Sequence, residues 1–476
     1  MLSVYNTLSR SKEEFKPLSG KEVKMFVCGQ TVYDDAHLGH AKNYINFDVI
    51  ARWLRRSGYS LKYIQNITDI DDKIIKRAAE DGVDPIALAR RYESRFMEDM
   101  EAIGVKAGVD SYPRSHDFIG AIKEQLQMLL DNGYAYVLDG DIYYDVSKFK
   151  DYTKLSGMRV EELEKHRIEP KEGKRNSYDF VLWKGSKPGE PSWKIGLRLD
   201  GSEMDIEGRP GWHIEDTAIT YAIFGRQYDI HGGAIELIFP HHTNEIAQAE
   251  AAFKVSPFVR YWMHSGIMLI KGEKMSKSLK NFIRIRDLLK EYDAEALRML
   301  ICSTHYRKDI AYTDQLMKDA SSRLRHAYSS LGIFFNMEAE ESKESCAEVD
   351  AIMDGLRKGF AEAMDDDFNT PLSLSLLMSA IEKLRIYAES YPKISSKSKE
   401  SAVSEVLSLC GIFGIMQKDA YKERLSADEA RLIKERESLR REKKFAESDV
   451  IRERLASEFG IITEDSEFGT IWYRKG

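Results

Sequence analysis

Cysteine is scarce in this 476-residue chain, with only Cys28, Cys302, Cys346 and Cys410, which lie far apart and form no CxxC pair. That spacing excludes a disulfide framework and a standard zinc knuckle, so any metal site must join one cysteine to ligands of other kinds. Long apolar runs are missing too. No window approaches the roughly 18–20 apolar residues of a membrane helix. The opening MLSVYNTLSRSKEEFKPL has no apolar segment behind a basic head, so no export signal is expected and a cytoplasmic location is the default. Positive charge is in deficit, with 71 Lys and Arg against 78 Asp and Glu and a net charge of −7. A uniformly basic, phosphate-coating protein is thereby excluded, although what matters to a polyanion is where the cations sit. What is present is 43 % hydrophobic and 11 % aromatic residues, enough for well-buried interiors. The length exceeds what one core holds, so two to four domains are expected.

The first third alternates strands and helices. Met25–Cys28 is a short apolar run suited to a buried strand, and a helical pattern follows over 39–56 with Gly58 as its stop. Leu61–Ile64 is the next strand candidate, and Asp84-Pro85 opens another helix with an N-cap acceptor and proline at its first position. This order implies an α/β fold with a doubly wound, Rossmann-like parallel sheet. Between about 114 and 205 the rhythm changes. YAYVLDGDIYYDV carries a hairpin signal at Asp139-Gly140, and the stretch from Lys165 to Glu190 is charged and rich in Gly and Pro, as an insertion would be. The α/β pattern resumes with GRPGWHIED and runs to about 285. Beyond Asp293 the periodicity predicts helices at 313–335, 348–364, 371–390 and 400–413, a charged helix or helix pair over 423–458, and a terminal hairpin over 460–473.

Two segments handle anions. His37-Leu38-Gly39-His40 follows the first strand and opens a helix, whose N-terminal N–H groups and partial positive charge suit a phosphate chain. Two imidazoles there can donate to phosphate oxygens as charge builds in a transition state, or serve only as a helix cap and a core contact. Lys274-Met275-Ser276-Lys277-Ser278 is a compact anion clamp or, alternatively, a solvated basic turn. Their order and separation resemble the HIGH and KMSKS signatures of class I aminoacyl-tRNA synthetases, with leucine for isoleucine in the first. By that resemblance His37, His40, Lys274 and Lys277 are catalytic, and His37, Gly39, His40 and Lys277 contact ATP.

A possible metal site is scattered along the chain. Cys28 precedes HLGH, and Phe239-Pro240-His241-His242-Thr243-Asn244-Glu245 starts a helix with His241 and Glu245 four residues apart on one face, a spacing shared by metal ligands and by ordinary surface pairs. The phrases CGxTVYDxxHxGHA, QNITDIDDKII, GRPGWHIE, YDIHGG, LIFPHHxNEIAQAEA and MDDDFNTP resemble the cysteinyl-tRNA synthetase family, in the family's order and over essentially the whole chain. The resemblance implies a cysteine–tRNA ligase that uses ATP with Mg2+, one Zn2+ per chain, L-cysteine and tRNA(Cys). It implies substrate contacts from Cys28, Gly29, Thr31, Thr68 and Trp212, and ATP contacts from Asp229 and Gly232. The family's zinc ligands match Cys28, His241 and Glu245. Its usual WHIECS reads Trp212-His213-Ile214-Glu215-Asp216-Thr217 here, so Asp216 stands where a second cysteine is expected. Aspartate can ligate zinc, and a Cys28, Asp216, His241, Glu245 site is the favoured reading. Support of a three-residue site by Asp216, loss of zinc, or a different amino acid as substrate are the alternatives.

The same resemblance divides the chain into a catalytic domain over 1–290 with a connective insertion at 114–205, a stem-contact segment and helical anticodon-binding bundle over 291–420, and a small mixed module over 421–476. A monomer is implied. Arg436, Arg440, Arg441, Lys443, Lys444, Arg452 and Arg454 give the last module a basic bias, and Trp472 and Tyr473 suit stacking on anticodon bases. Rival readings are a cysteine-activating ligase acting on an amino-sugar, which lacks the C-terminal part, and an inactive RNA-binding paralogue, which intact HLGH and KMSKS oppose. Cys302, Cys346 and Cys410 are assigned to packing.

Overall fold

The computed structural model describes all residues except 160–171, 200, 212, 271, 275–280, 342–345, 467–468 and 475–476. The chain resolves into two compact units, one made of Met1–Glu291, Tyr306–Ala311 and Asp366–Phe368, the other of Tyr292–His305, Tyr312–Asp365 and Asn369–Gly476.

The first unit opens with a hairpin, β1 (Ser3–Asn6) and β2 (Ser11–Glu14), and then builds a parallel sheet from β3 (Glu22–Thr31), β4 (Ser60–Thr68), β10 (Tyr228–Ala234) and β11 (Val259–Ser265), in the order β11-β10-β3-β4. Helix α1 (Leu38–Arg56) links β3 to β4. Met25, Phe26, Val27 and Cys28 are all buried, as expected of a central parallel strand covered on both faces. The strand order reverses between β3 and β10, the place where open α/β sheets form a crevice at their carboxyl ends. Helix α1 is buried along most of its length, which explains why its apolar positions spread widely, and Gly58, with φ of 85°, follows its C-cap Ser57. α2 (Asp72–Asp81) and α3 (Pro85–Ala102) follow β4; Asp84 caps α3 by accepting from Ala87 N, with Pro85 in the first turn.

After α4 (Ile119–Asp131), an inserted antiparallel sheet takes the order β5-β6-β7-β9-β8, from β5 (Ala135–Leu138), β6 (Asp141–Tyr144), β7 (Phe180–Gly185), β8 (Trp193–Leu199) and β9 (Ser202–Pro210). Asp139 and Gly140, with φ of 51° and 82°, make the tight turn between β5 and β6 that the sequence signals. α5 (Ile214–Phe224) and α6 (Thr243–Phe253) then flank β10.

In the second unit helices span Asp314–Phe335, Ala347–Asp365, Thr370–Ser390 and Ser396–Phe413, each within a few residues of the range read from periodicity. The charged segment is a helix pair, Ala427–Arg441 and Phe445–Phe459, followed by the hairpin Ile461–Ser466 and Gly469–Arg474. Leu432, Ile433, Ile451, Leu455 and Ile461 form its small core. Arg436 does not face solvent with the other cations: it is fully buried and holds Asp465 with both guanidinium arms at 2.7 and 2.9 Å, because its position falls on the apolar face of the helix. Cys302 and Cys410 are buried, and the thiol of Cys346 lies 3.1 Å from the Tyr387 hydroxyl.

Candidate active site and metal centre

A cavity of about 540 Å³ opens at the carboxyl ends of β3 and β10. Cys28, Gly29 and Thr31 line it from β3, His37, Gly39 and His40 from the start of α1, and Ala234, Glu236 and Leu237 from the end of β10. Gly29 is required by the wall itself: a Cβ there would collide with the backbone carbonyl of Asn66 on β4, while its own N–H donates to the Asn66 side chain at 2.6 Å. The strand pairing of β3 with β4 shifts register at this point, between Val27 and Gln30.

The two histidines of the first motif share one arrangement. Nδ1 of His37 accepts from Gly39 N at 3.1 Å, and Nδ1 of His40 accepts from His37 N at 3.3 Å, a reciprocal cap of α1. Their rings stack with centroids 3.8 Å apart. Because each Nδ1 is an acceptor, the proton of each neutral ring lies on Nε2, which is then a donor. Burial, reinforced by His37 and Lys73, pushes His40 well below the usual histidine range, so it is neutral at physiological pH. Cap and anion donor are therefore compatible roles of different ring nitrogens.

The same helix start is tied to the chain that follows the second motif. Leu38 N donates to Ile283 O and Ile285 N donates to Ala36 O, both at 3.0 Å, and the Phe282 ring lies 5.2 Å from that of His37. Met268, Phe282 and Arg284 line the cavity. Lys277 lies outside the described residues, as does Trp212; for Lys274 the backbone pairs with Leu269 and its side chain lies outside the description.

Beside the cavity, Cys28 meets donors from two other segments. Its sulfur is 3.5 Å from His241 Nε2 and 3.8 Å from Asp216 Oδ2. His241 Nε2 is 2.9 Å from Asp216 Oδ2 and 3.1 Å from Glu245 Oε1. One donor atom from each of Cys28, Asp216, His241 and Glu245 falls within 4.8 Å of all the others. Zinc bound at 2.0–2.3 Å in a tetrahedron needs donors roughly 3.3–3.8 Å apart, which this set approaches. Asp216 is oriented by Asn66, whose Nδ2 donates to Oδ1 at 2.5 Å.

The electrostatics ask for a cation. Burial, then the charge of Glu245, pushes the Cys28 thiol well up, and burial pushes Glu245 up to about 8. Burial opposes protonation of His241 as well, yet Cys28, Asp216 and Glu245 together outweigh it and push His241 well up. Both Glu245 oxygens are buried with no hydrogen-bond partner of good geometry. A carboxylate left so would cost several kcal/mol, and a divalent ion at this point would satisfy it and let the thiol ionise. The residues present fit a zinc ion.

Other expected contacts are placed differently. Asp229 lies at the start of β10, away from the cavity, and its carboxylate accepts from Leu18 N at 2.6 Å and Lys24 N at 2.8 Å. A Cβ at Gly232 would strike the Phe47 ring of α1, so this glycine is required by helix–sheet packing. Thr68 does not line the cavity, and its hydroxyl accepts from Asn66 Nδ2 at 3.2 Å. From β10 the cavity is reached by Ala234 and, just past the strand, by Glu236 and Leu237. Lys73, from QNITDIDDKII, also lines the cavity and was not singled out by motif; only its place inside a phrase shared with the family signals it.

A parallel sheet with its crevice at the switch point, a histidine-capped helix there and a helical C-terminal unit define a class I aminoacyl-tRNA synthetase. Residues 14–322 match the tRNA synthetases class I (C) catalytic domain, and residues 359–417 match the DALR domain. Cysteine–tRNA ligase of Thermococcus gammatolerans is 44 % identical over 487 residues, with 99 % of each chain covered, and that of Cronobacter sakazakii is 42 % identical with 100 % of each covered. The chain belongs to the cysteine–tRNA ligase family. In fold it is similar to methionyl-tRNA synthetase of Mycobacterium tuberculosis in complex with methionyl-adenylate, with a TM-score of 0.58, 18 % identity, and 83 % of this chain and 89 % of that one covered.

Proposed function

We propose that the chain joins L-cysteine to tRNA(Cys) in two steps, acting as a monomer in the cytoplasm. The cysteine carboxylate attacks the α-phosphate of ATP, bound with Mg2+, pyrophosphate leaves, and the aminoacyl group then passes from the adenylate to the tRNA 3′ hydroxyl, releasing AMP. The start of α1 receives the phosphates, and the Nε2–H groups of His37 and His40 donate as charge builds on phosphorus. By the family resemblance, Lys274 and Lys277 contribute positive charge toward the same anion. No protein nucleophile is needed, since positioning and charge stabilisation lower the barrier.

Cys28, Asp216, His241 and Glu245 hold zinc, which when bound supplies a soft Lewis acid that accepts a thiolate far better than a hydroxyl. This answers the problem of serine, which a pocket of pure shape rejects poorly. The single observation that carries the reading is that Cys28 belongs both to the metal-donor set and to the wall of the cavity that His37 and His40 line. Full-length similarity to cysteine–tRNA ligases and the DALR match support tRNA, rather than an amino-sugar, as acceptor. No helix among the described residues is long and apolar enough to cross a membrane, in keeping with the proposed location.

Two measurements test it. Metal analysis should find about one zinc per chain, and ATP–pyrophosphate exchange should run with cysteine and be weak with serine. Exchange with serine as fast as with cysteine, or strong cysteine preference with no zinc above background, overturns the metal-based selection.

A further inference from the structure

Among the described residues, two permanently cationic side chains line the cavity, Lys73 and Arg284, and the second lies outside both anion-handling motifs. Its backbone is locked to the start of α1. Arg284 pairs with His37 in an isolated antiparallel bridge. On either side, Leu38 N donates to Ile283 O and Ile285 N donates to Ala36 O, both at 3.0 Å. Arg284 is thus fixed beside the helix end whose N–H groups suit an anion.

The acids near Arg284 are matched by other cations. Asp35, whose side chain is 6 % exposed, takes both arms of Arg95 from α3, Nε at 2.5 Å and a terminal nitrogen at 2.8 Å. Arg284 Nε stands 3.5 Å from the same carboxylate, a distance of attraction rather than of a good hydrogen bond. Arg286 stands 3.7 Å from it, and turns a terminal nitrogen to Asp99 at 3.1 Å and to the Arg95 carbonyl at 3.0 Å. Asp287 comes within 4.0 Å of Arg284 but lies 2.7 Å from Lys290. Asp35 therefore steers Arg284 by charge while its oxygens are committed to Arg95. The Arg284 guanidinium carries five N–H donors. Among the described residues it makes ion pairs at 3.5 and 4.0 Å and no closer polar contact, and its side chain is 52 % exposed.

A guanidinium so placed suits phosphate, which its planar fork can hold with two parallel bonds. His37 and His40 are half-buried and Arg284 is exposed, so the arginine lies to the solvent side of the two rings. A phosphate chain that starts at the imidazole donors and runs outward meets Arg284 beyond its first phosphate.

We propose that Arg284 is a further binding residue for the outer phosphates of the nucleotide, with Asp35 as the positioning residue that steers its guanidinium. The proposal rests on the ATP reading above and extends it. As the carboxylate oxygen bonds to the α-phosphorus, the bond to the bridging oxygen breaks and its electron pair leaves with pyrophosphate. Arg284 faces the charge that gathers on this leaving group. A terminal RNA phosphate offers the same chemistry from another source, and the two are separated by experiment.

The test measures equilibrium binding of ATP, AMP and pyrophosphate to the full chain. Arg284→Ala should weaken ATP and pyrophosphate by about 10–100-fold and leave AMP unchanged. Arg284→Lys, which keeps the charge without the fork, should fall between the two. Asp35→Asn should weaken ATP in the wild-type background and add nothing in the Arg284→Ala background, a coupling that general loss of packing does not give. In exchange assays of Arg284→Ala, KM for ATP should rise with KM for cysteine unchanged. Arg284→Ala that binds ATP as tightly as wild type overturns the proposal, and so does an equal loss of AMP. A rise confined to KM for tRNA in charging also overturns it and makes Arg284 an RNA contact. Independent losses in Asp35→Asn and Arg284→Ala overturn the positioning role of Asp35. Wild-type protein that binds ATP no better than AMP overturns the phosphate reading of the cavity itself, a failure recognisable before any substitution is made.

Discussion

His40 carries two loads on two atoms. Its Nδ1 closes the cap of α1 by accepting from His37 N, and its Nε2 is the donor side of a neutral ring. His40→Asn keeps a short polar side chain at this position but lacks the imidazole donor. Loss of one preorganised donor to a transition-state anion costs about 10²–10³ in kcat, whereas a weakened helix cap costs only about 1 kcal/mol. We expect ATP–pyrophosphate exchange to fall by that factor while the unfolding midpoint moves by only a few degrees. A large fall in stability with a small fall in kcat would make His40 a cap alone. The sequence left the two readings of HLGH as rivals because a string of letters does not say which ring nitrogen faces the backbone. Cys28, His241 and Glu245 were legible as a group only through likeness to known phrases, since more than 200 residues separate the first from the others. His231 stood inside one of those phrases but could not be assigned, because only the packing of β10 against β3 brings it to the sulfur.

At the level of elements, α1 is fastened by an unusual buried cation. Lys42 Nζ donates to the carbonyls of Gly266 at 2.7 Å and Tyr306 at 3.1 Å, and burial pushes its pKa from the usual lysine range down to about 8. The folded state therefore binds this proton less tightly than the unfolded state does. Between about pH 8 and 10.4 the unfolded chain holds more protons, so stability rises with pH through that window. At and below pH 8 the charged, desolvated ammonium costs up to about 3 kcal/mol, a cost that fades as the lysine deprotonates in both states. Lys42→Met removes the titration. The stability difference between variant and wild type, measured by urea unfolding, should shift by about 2 kcal/mol in favour of wild type from pH 8 to pH 10. A difference independent of pH would show that Lys42 is not desolvated as described. Element boundaries themselves were largely readable. α1, the capped α3 and the β5–β6 turn follow from periodicity, a capping aspartate and Asp-Gly, all local signals. Which residues past the end of β10 reach the cavity was not readable, because that depends on how the chain turns after the strand.

Over the whole molecule, composition sets a charge problem on which the pairing of cations in the C-terminal helix pair bears. A chain of net charge −7 that charges a polyanion must present its cations in one place. In the C-terminal helix pair Arg441 lies 4.0 Å from Glu437, Lys444 2.8 Å from Glu442, Arg452 3.2 Å from Asp449 and Arg454 2.9 Å from Glu458. Such exposed pairs are worth about 0–1 kcal/mol each, so a phosphate can replace the carboxylate partner at little cost. Arg436 is different, because its buried pairing with Asp465 maintains the module and is unavailable to RNA. Two variants separate these roles. Arg441→Glu combined with Lys443→Glu and Lys444→Glu should lower kcat/KM for tRNA charging by about tenfold or more and leave cysteine-dependent ATP–pyrophosphate exchange unchanged. It should also flatten the salt dependence of charging, by about 0.7–0.9 in the logarithmic slope for each RNA phosphate that is no longer neutralised. Arg436→Met should instead lower the unfolding midpoint, because Asp465 loses its partner. Charging that is insensitive to the triple substitution, at low and high salt alike, would remove this face from the tRNA-binding surface and move the search to the cations of the helical bundle.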